Sequence, residues 1–293
     1  MDQAVGLVGI GLVGSALAER LLAGGFRVVG HDIVAEKCEH LAALGGEAAA
    51  SSAEAAAKAP RVILSLLTSD VVREVIGGPG GVLEADPLPR TIIDTTTGDP
   101  EASESMAARL AERGIAYLDA TIVGSSKQIG EGEGVFLVGG EAEPLEECAD
   151  LFQALSRKVF HVGPSGAGAR AKLVVNLVLG LNRAALAEGL AFGEAIGLEP
   201  ARVLPLLMST MAYSRIMDTK GPRMVEGDFT PEARLAQHRK DVALILEQAR
   251  KHGQALPLSE EHLRLLDAAI AAGDGELDNS AVVREIRRRQ MRS

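Results

Sequence analysis

The sequence predicts a doubly wound α/β domain followed by an all-α domain. In the first half, short runs rich in β-branched residues alternate with helical patterns, which is typical of parallel βαβ units. After His161 no run has the composition of a strand, and the chain there has the pattern of long helices. A turn-rich stretch from Gly163 to Gly166 separates the two patterns. We therefore predict one domain over residues 1–163 and a second over residues 164–293.

The individual elements follow from local signals. The predicted strands cover residues 5–8, 27–31, 61–66, 91–94, 115–118, 135–138 and 159–162. Ser51 and Glu54 have the spacing of a capping box, and Asp99 before Pro100 is typical of an N-cap with proline at the first helical position. The helices predicted in the second domain cover residues 167–196, 200–209, 231–252, 259–272 and 280–291. The first of these is far longer than the ~11-residue average, so we expect an interdomain helix that begins at the junction.

The composition excludes several classes of protein. The 293 residues include 40 acidic and 30 basic side chains, and the net charge of −10 would repel a nucleic acid. Aromatic residues make up 3% and Trp is absent, so stacking platforms for single strands are not expected. The hydrophobic fraction of 47% is that of a globular protein. We interpret the basic residues between Arg284 and Arg292 as a solvated helix end.

Other features bear on the cellular location. Cys38 and Cys148 are the only cysteines and lack metal-like spacing, which favours a reduced, cytoplasmic setting. The apolar stretch after Met1 has no basic leader or cleavage-like site, so we interpret it as structure and not as a signal peptide. Residues 173–198 form the most apolar long segment, but polar side chains such as Asn176 and Arg183 argue against a membrane span.

Six residues directly after the first predicted strand match the pattern G-x-G-x-x-G. They are Gly9, Ile10, Gly11, Leu12, Val13 and Gly14. In this pattern the first glycine allows a tight turn, the second lets the backbone approach a pyrophosphate, and the third permits close helix packing. The helix N-terminus then offers unpaired N–H groups to the phosphates. Its place between a strand and a helix predicts a Rossmann-type NAD-binding domain.

Asp32 ends the second predicted strand, 18 residues after Gly14. A carboxylate at about this distance, ~20 residues, binds the adenosine ribose of dinucleotides. It would repel a 2′-phosphate, and neither nearby cation, Arg27 or Lys37, directly follows it, so NAD is favoured over NADP. Asp32 is also suited to cap a helix predicted over residues 35–44, and the two roles are compatible.

Lys172 and Asn176 lie at positions i and i+4, and hence on one face of the predicted long helix. The helix around them is apolar, and such a setting favours a desolvated ammonium with a lowered pKa, which suits proton exchange near neutral pH. The alternative is a lysine whose ammonium extends into solvent. Gly166 and Gly168 before the lysine, and the amide one turn after it, favour the functional interpretation.

From Val5 to about Val283 the chain resembles the β-hydroxyacid dehydrogenase family, which includes 3-hydroxyisobutyrate dehydrogenase, tartronate semialdehyde reductase and glyoxylate reductase. The stretch from Gly166 to Asn176 carries the family's G-x-G-x-x-x-K-x-x-x-N pattern. The resemblance implies that Lys172 is the catalytic lysine and that Asn176 is its substrate-binding companion.

The stretch from Asp119 to Lys127, with the later Val138-Gly139-Gly140, resembles the family's substrate loop, D-A-P-V-S-G-G followed by V-G-G. Where the family has its proline, its serine and its second glycine, this chain has Thr121, Val123 and Ser125. The resemblance implies that Val123, Gly124 and Ser125 bind the substrate, with main-chain N–H groups around Gly124 holding its carboxylate. The departures leave open a larger or more strongly anionic substrate, such as a phosphonate or a sulfonate.

Shorter motifs complete the resemblance. Leu66, Leu67 and Thr68 resemble the family loop that covers the adenine-side ribose and the pyrophosphate. Asp94 to Thr97 resembles D-x-S-T, which implies that Thr97 lies beside the nicotinamide ribose. Lys240-Asp241 resembles the K-D motif whose lysine reaches the cofactor, although the aromatic residue common eight positions before the aspartate is Ala233 here. Tyr213 lies where the family's helical domain lines the substrate.

These observations predict an oxidoreductase that transfers a hydride between NAD and a small anionic 3-hydroxy acid, or reduces the matching semialdehyde, with Lys172 as general acid/base. An imine reductase-like enzyme of the same fold and a catalytically idle NAD-binding module are the alternatives. The resemblance also implies a homodimer or homotetramer. No metal, nucleic-acid or membrane partner is expected.

Overall fold

The computed structural model describes residues 3–289 and divides into two compact units, one up to Lys172 and one from Leu173. The strands of the first unit are β1 (Ala4–Val8), β2 (Arg27–His31), β3 (Glu47–Ala48), β4 (Arg61–Leu64), β5 (Thr91–Asp94), β6 (Ala116–Val123), β7 (Val135–Gly139) and β8 (Lys158–Gly163). Its helices are α1 (Leu12–Ala23), α2 (Ala35–Ala43), α3 (Ser52–Ala57), α4 (Ser69–Gly77), α5 (Pro100–Ala111), α6 (Ser126–Gly130), α7 (Ala142–Glu147) and α8 (Ala149–Leu155). The long helix α9 (Ala167–Ala195) begins in this unit and continues into the second.

The eight strands form one sheet in the order β3-β2-β1-β4-β5-β6-β7-β8. Neighbouring strands are parallel except for the antiparallel pair β6 and β7. The strand order reverses between β1 and β4, and ligands of open α/β sheets bind at such a switch point, beyond the carboxyl ends of the strands. The Gly-rich turn follows β1 at this place.

Alternating side chains of the central strands enter two separate apolar cores, one on each face of the sheet. On β4, Ile63 belongs to the core that contains Leu17 of α1. Val62 belongs to the opposite core, with Val72 of α4 and Met106 of α5. Helices therefore cover both faces, and the predicted doubly wound fold class is confirmed.

Differences from the predicted elements have local causes. Strand β6 continues past residue 118 to Val123, because this stretch pairs with β7 and is largely buried. Strand β4 ends at Leu64, two residues earlier than predicted. Strand β3 has two residues and pairs with β2, and it is too short to show a period in the sequence.

The predicted helix starts are mostly present in the first unit. Asp99 caps α5 by accepting hydrogen bonds from the N–H groups of Glu101 and Ala102. Ser51 caps α3 and accepts from the N–H of Glu54. In a capping box the Glu54 carboxylate would accept from the N–H of the N-cap residue, Ser51. Here it accepts instead from the N–H of the preceding residue, Ala50, at 2.7 Å.

The regular elements of the second unit are helices joined by loops, and its described residues also form an isolated β-bridge between Arg234 and Asp278. After α9 its α-helices are α10 (Pro200–Met208), α11 (Ile216–Glu226), α12 (Leu235–Lys251), α13 (Pro257–Ala271) and α14 (Val282–Arg288). They enclose one apolar core that includes Leu190, Met224, Leu246 and Leu266.

Three helices of this unit depart from the prediction. Helix α11 was not predicted, because Gly221 and Pro222 lower its helix propensity. Helix α12 begins at Leu235 and not at residue 231, since the Asp278 carboxylate accepts from the N–H groups of residues 232 and 233 before the helix starts. Helix α14 ends at Arg288, and residues 291 and 292 of the predicted basic helix end lie outside the described residues.

Among the described residues, α9 is the one helix long and apolar enough by composition to cross a membrane. Core helices of soluble proteins meet the same criterion. Its polar residues Asn176 and Arg183 are buried, with 5% and 1% of their surface exposed. A polar seam of this kind is typical of a helix whose one face is covered by protein.

Candidate active site

The three glycines of the turn after β1 serve different purposes. Gly9 has a φ of +89°, and a Cβ there would lie 2.3 Å from the Ser65 carbonyl oxygen. A Cβ on Gly14 would lie 2.0 Å from the Gly9 carbonyl oxygen, so only glycine lets α1 approach β1 this closely. A Cβ on Gly11 would meet no protein atom within 4 Å. The fold therefore requires the first and third glycines. The second borders open space, where a bound phosphate can approach the protein backbone.

The N-terminus of α1 is open at this turn. Gly11 is its N-cap and is exposed, no side chain caps the helix, and its first turn contains no acidic residue. Uncapped N–H groups and the positive end of the helix dipole favour an anion here. Leu12 is 43% exposed beside it. These residues fit the pyrophosphate of a dinucleotide.

Asp32 follows β2 and contacts the same turn. One carboxylate oxygen accepts a 2.6 Å hydrogen bond from the N–H of Ile10, and the other accepts from the N–H of Val34 at 2.9 Å. The side chain thus stands at the edge of the Gly-rich turn, where it also organises the residues before α2. Ile33, next along the chain, is 96% exposed and offers no charge.

The loops after β4 and β5 border the same edge of the sheet. Leu67 is 64% exposed, whereas the Thr68 hydroxyl caps α4 by accepting from the N–H of Val71 at 3.3 Å. Asp94 shapes the turn that carries Thr97, since its carboxylate accepts from the N–H of Thr96 at 2.9 Å and from the Tyr117 hydroxyl at 2.7 Å. Burial raises the pKa of the Asp94 carboxyl despite these bonds.

Lys172 is buried, with 8% of its surface exposed. Its ammonium donates a 2.5 Å hydrogen bond to the carbonyl oxygen of Ile122, near the end of β6. The alternative of a lysine that extends into solvent is therefore wrong. The ammonium lies against the strand that leads directly into the predicted substrate loop.

The start of α9 is held against β6 by a buried carboxylate. Asp119 accepts hydrogen bonds from the N–H groups of Gly166 and Ala169 at 2.9 and 2.8 Å. Burial raises the pKa of Asp119, and these bonds to the helix N-terminus oppose the shift. A Cβ on Gly168 would lie 2.2 Å from the Asp119 carbonyl oxygen. The glycine spacing before Lys172 is thus required by packing, which aims the lysine at Ile122.

The predicted substrate loop begins where β6 ends. Val123 is half-buried and is the last residue of the strand, and Gly124 has a φ of +154°, a value that favours glycine. Ser125 is the N-cap of α6: its hydroxyl accepts from the N–H of Gln128, and its own N–H donates to the Gln128 carboxamide. The capping box thus uses the N–H of Ser125 as a donor and its hydroxyl oxygen as an acceptor. The hydroxyl proton and the main-chain N–H groups around Gly124 are left as donors toward an anion.

In the second unit, Asn176 and the K-D pair form a second cluster. The Asn176 amide nitrogen donates to a carboxylate oxygen of Asp241 at 3.0 Å, and both residues are buried. The other carboxylate oxygen lies 3.1 Å from the Lys240 ammonium, whose side chain is 28% exposed. Asp241 therefore orients the amide on α9 and the ammonium on α12 together.

Tyr213 differs from the residues of this cluster in its exposure and in its hydrogen-bond partner. It is 46% exposed, and its hydroxyl donates to an Asp218 carboxylate oxygen at 2.6 Å. Ser214, its neighbour, has a buried hydroxyl with no hydrogen-bond partner among the described residues. Ala233, which replaces the family's aromatic residue, donates its N–H to Asp278.

Sequence reasoning singled out the lysine and the amide but not the carboxylates that position them. Asp119 holds the start of α9, and Asp241 holds Asn176. Both stand inside the motifs that were recognised, at the first position of the substrate loop and the second of K-D. A spacing pattern shows that an aspartate is present, but not which N–H groups its carboxylate binds. No group of three or more metal-ligating side chains occurs within residues 3–289.

The fold and these clusters define the chain as an NAD(P)-binding oxidoreductase. Residues 4–163 match the model of the NAD binding domain of 6-phosphogluconate dehydrogenase, and residues 166–286 match that of the NAD-binding domain of NADP-dependent 3-hydroxyisobutyrate dehydrogenase. The chain belongs to the β-hydroxyacid dehydrogenase family.

Relatives across this family cover nearly the whole chain. The 2-(hydroxymethyl)glutarate dehydrogenase of Eubacterium barkeri is 31% identical over 96% of this chain and 93% of its own length. The 2-hydroxy-3-oxopropionate reductase of Escherichia coli is 31% identical over 96% of both chains. Among solved structures, the Mycobacterium tuberculosis 3-hydroxyisobutyrate dehydrogenase with L-serine is 27% identical, with a TM-score of 0.87 over 98% of this chain and 100% of the other.

Proposed function

We propose that the chain is an NAD-dependent dehydrogenase of small 3-hydroxy acids, which also runs in reverse on the matching semialdehydes. The observation that carries this proposal is the buried Lys172 ammonium, which donates a hydrogen bond to the Ile122 carbonyl oxygen at the end of β6, directly before the substrate loop. The names of two relatives support the substrate class. In both 2-(hydroxymethyl)glutarate and 2-hydroxy-3-oxopropionate, the reacting oxygen is on the carbon β to a carboxylate.

In this proposal the nicotinamide cofactor supplies or accepts the hydride, and the chain supplies binding, orientation and proton transfer. Main-chain N–H groups around Gly124, together with Asn176, bind the substrate carboxylate and its hydroxyl. During oxidation Lys172 acts as the neutral amine, which accepts the hydroxyl proton as the hydride leaves for the nicotinamide, and during reduction the ammonium returns that proton. A positioned general acid/base of this kind contributes ~100- to 10,000-fold to the rate.

A screen of small 3-hydroxy acids and semialdehydes with NAD and with NADP tests the proposed function through NADH or NADPH absorbance. Sulfonate and phosphonate analogues belong in the panel, because Val123 and Ser125 replace the family's serine and glycine. Turnover of at least one carboxylate acid is the expected result. No turnover of any acid, with reduction of cyclic imines, would instead support the imine reductase alternative, and no turnover of either class would support the idle module.

We expect Asp32→Ala to lower the preference for NAD over NADP by at least about tenfold, because hydrogen bonds to a charged group are worth roughly 1.5–3 kcal/mol. The ratio of kcat/KM with the two cofactors measures it. Since Asp32 also accepts from the N–H of Ile10, Asp32→Asn is the matched control that keeps an acceptor at the turn. An unchanged ratio in Asp32→Ala would count against the ribose assignment.

The proposal extends to self-association as a homodimer or homotetramer. In the second unit Phe192, Ile196, Leu206 and Met211 are more than half exposed, and burial of such apolar side chains against a second copy would favour association. We expect light scattering to give a mass of at least twice the 30.5 kDa of one chain, and Phe192→Asp to lower it. A mass of one chain at micromolar concentration would contradict this.

We also propose a cytoplasmic location, which the free thiols of Cys38 and Cys148 favour.

A further inference from the structure

Side-chain hydrogen bonds join the loop after β4 to the loop after β5, beyond the carboxyl ends of these two strands. The hydroxyl oxygen of Thr96 accepts a 3.2 Å hydrogen bond from the N–H of Leu66. On the other side of Thr97, the hydroxyl oxygen of Ser69 accepts from the N–H of Asp99 at 2.8 Å. Thr97 thus lies between two bonds that both cross from one loop to the other.

The two loops also approach each other closely. A Cβ on Gly98 would lie 2.3 Å from the Ser69 hydroxyl oxygen, so a side chain at this position would push the hydroxyl out of its bond. At the strand ends, the Thr95 hydroxyl and the Thr95 N–H both donate to the Leu64 carbonyl oxygen at 2.8 Å. These last two bonds continue the pairing of β4 with β5, whereas Thr96 and Ser69 hold the loops beyond it.

The backbone of Thr96 is held by a buried carboxylate on β5. One oxygen of Asp94 accepts from the N–H of Thr96 at 2.9 Å, and the other accepts from the hydroxyl of Tyr117 on β6 at 2.7 Å. All three side chains are buried. Breaking such bonds would leave buried polar groups unpaired, which opposes movement of the turn. Thr96 therefore presents its hydroxyl to Leu66 from a fixed backbone.

We propose that Thr96 and Ser69 are positioning residues that fasten the two loops into one ordered unit, so that the loop after β4 is in place to bind the adenine-side ribose and the pyrophosphate. The inference rests on the proposed function and on the roles that the family resemblance implies for residues 66–68 and for Thr97. Loops that are ordered before the cofactor arrives lose less entropy on binding. The contribution of these two residues is therefore to cofactor affinity, through the loops and not through direct contact.

The test measures ADP and NAD binding to the full chain by calorimetry. ADP carries the adenosine ribose and the pyrophosphate but no nicotinamide, so in this proposal it contacts the loop after β4 and not Thr97. Thr96→Val removes the hydroxyl and nearly keeps the shape, and we expect the Kd for ADP to rise about 3- to 10-fold, the value of one net hydrogen bond. Thr96→Ser keeps the hydroxyl and should bind ADP within about twofold of wild type.

Matched variants separate this effect from others. Thr97→Val removes a hydroxyl of the same loop and should weaken NAD binding but leave the Kd for ADP unchanged. Thr95→Val removes a buried hydroxyl whose carbonyl partner keeps the N–H of Thr95, so it reports on lost stability and should not change the Kd for ADP. Ser69→Ala tests the second bond and should raise the Kd for ADP as Thr96→Val does, and it provides the measurement if Thr96→Val does not fold.

A second measurement needs no ligand. Amide hydrogen exchange, followed by mass spectrometry in the peptide that contains Leu66, reports on the bond to Thr96 directly. The N–H of Leu66 should exchange several-fold faster in Thr96→Val than in wild type. In Thr96→Ser and in Thr97→Val it should exchange at the wild-type rate, because the hydroxyl of residue 96 is retained.

An unchanged Kd for ADP in folded Thr96→Val would overturn the inference, and so would an equal rise in Thr96→Val and Thr96→Ser. Weakened NAD binding with unchanged ADP binding in Thr96→Val would also overturn it, since Thr96 would then act on the nicotinamide side alone. Failure of the wild-type protein to turn over any hydroxy acid would instead contradict the proposed activity, and the ADP titrations and the exchange of the Leu66 N–H keep that result separate.

Discussion

Lys172→Ala should lose at least about 100-fold in turnover while NAD still binds, because a general acid/base is removed and the Gly-rich turn is not touched. The lysine is buried and donates to the Ile122 carbonyl oxygen, so its replacement leaves no other described ammonium at this atom. Single-turnover NADH formation measures the chemical step, and NAD titration by calorimetry measures binding.

Two further variants make this result specific. Lys172→Arg keeps a positive charge and donors, but a guanidinium does not give up its proton near neutral pH, so turnover should stay low. Lys158→Ala removes an exposed lysine of strand β8 and should leave turnover unchanged. Turnover of Lys172→Ala or Lys172→Arg near the wild-type rate would refute proton transfer by this residue.

Lys220→Met should destabilise the protein by about 3–5 kcal/mol, because it removes the ammonium that binds both oxygens of a buried carboxylate. The Lys220 ammonium lies 2.8 and 2.9 Å from the two carboxylate oxygens of Asp278, which is fully buried. Burial alone would raise the pKa of Asp278, but Lys220 and the bonds from Ser280 outweigh it and hold the pKa below its usual value. The carboxylate is therefore charged at pH 7, where urea unfolding measures the loss.

Lys251→Met is the matched control, since the Lys251–Glu247 pair of the same unit is about half exposed and such pairs contribute under about 1 kcal/mol. The double variant Lys220→Met with Asp278→Asn should recover part of the stability, because the uncompensated charge is gone while an acceptor for the backbone N–H groups remains. Equal loss in Lys220→Met and Lys251→Met would contradict the buried-pair explanation.

Much of the fold could be predicted because its signals are local. Strands β2 and β5 occupy the predicted residues, since each is a short apolar run bounded by turn residues. The length of β6 was wrong, because its last four residues are strand only through pairing with β7. Helix α11 was missed for a related reason: Gly221 weakens the helix locally, yet a Cβ there would lie 2.5 Å from Leu204, so packing selects glycine.

The roles of the site residues also divide into those that a local pattern indicates and those that only the contacts in the structure show. The N-cap of α5 and the glycines at positions 9 and 14 belong to short patterns that the sequence shows directly. The partners of Ser125 do not, since its hydroxyl and N–H are both used by Gln128 in a capping box that the substrate-loop motif did not indicate. Val123, Ser125 and Ala233 still mark the positions where the substrate pocket departs from the family.

By itself, the sequence determined the class of fold, the Gly-rich turn and the identity of the candidate lysine and amide, because these depend on residues close together in the chain. Only the tertiary structure decided that Lys172 meets Ile122, that Asp119 holds the start of α9, and that Asp241 holds Asn176. These contacts join residues that lie 47 to 65 positions apart, and their strength depends on burial. No local pattern encodes either the distance between such atoms or the exclusion of water around them.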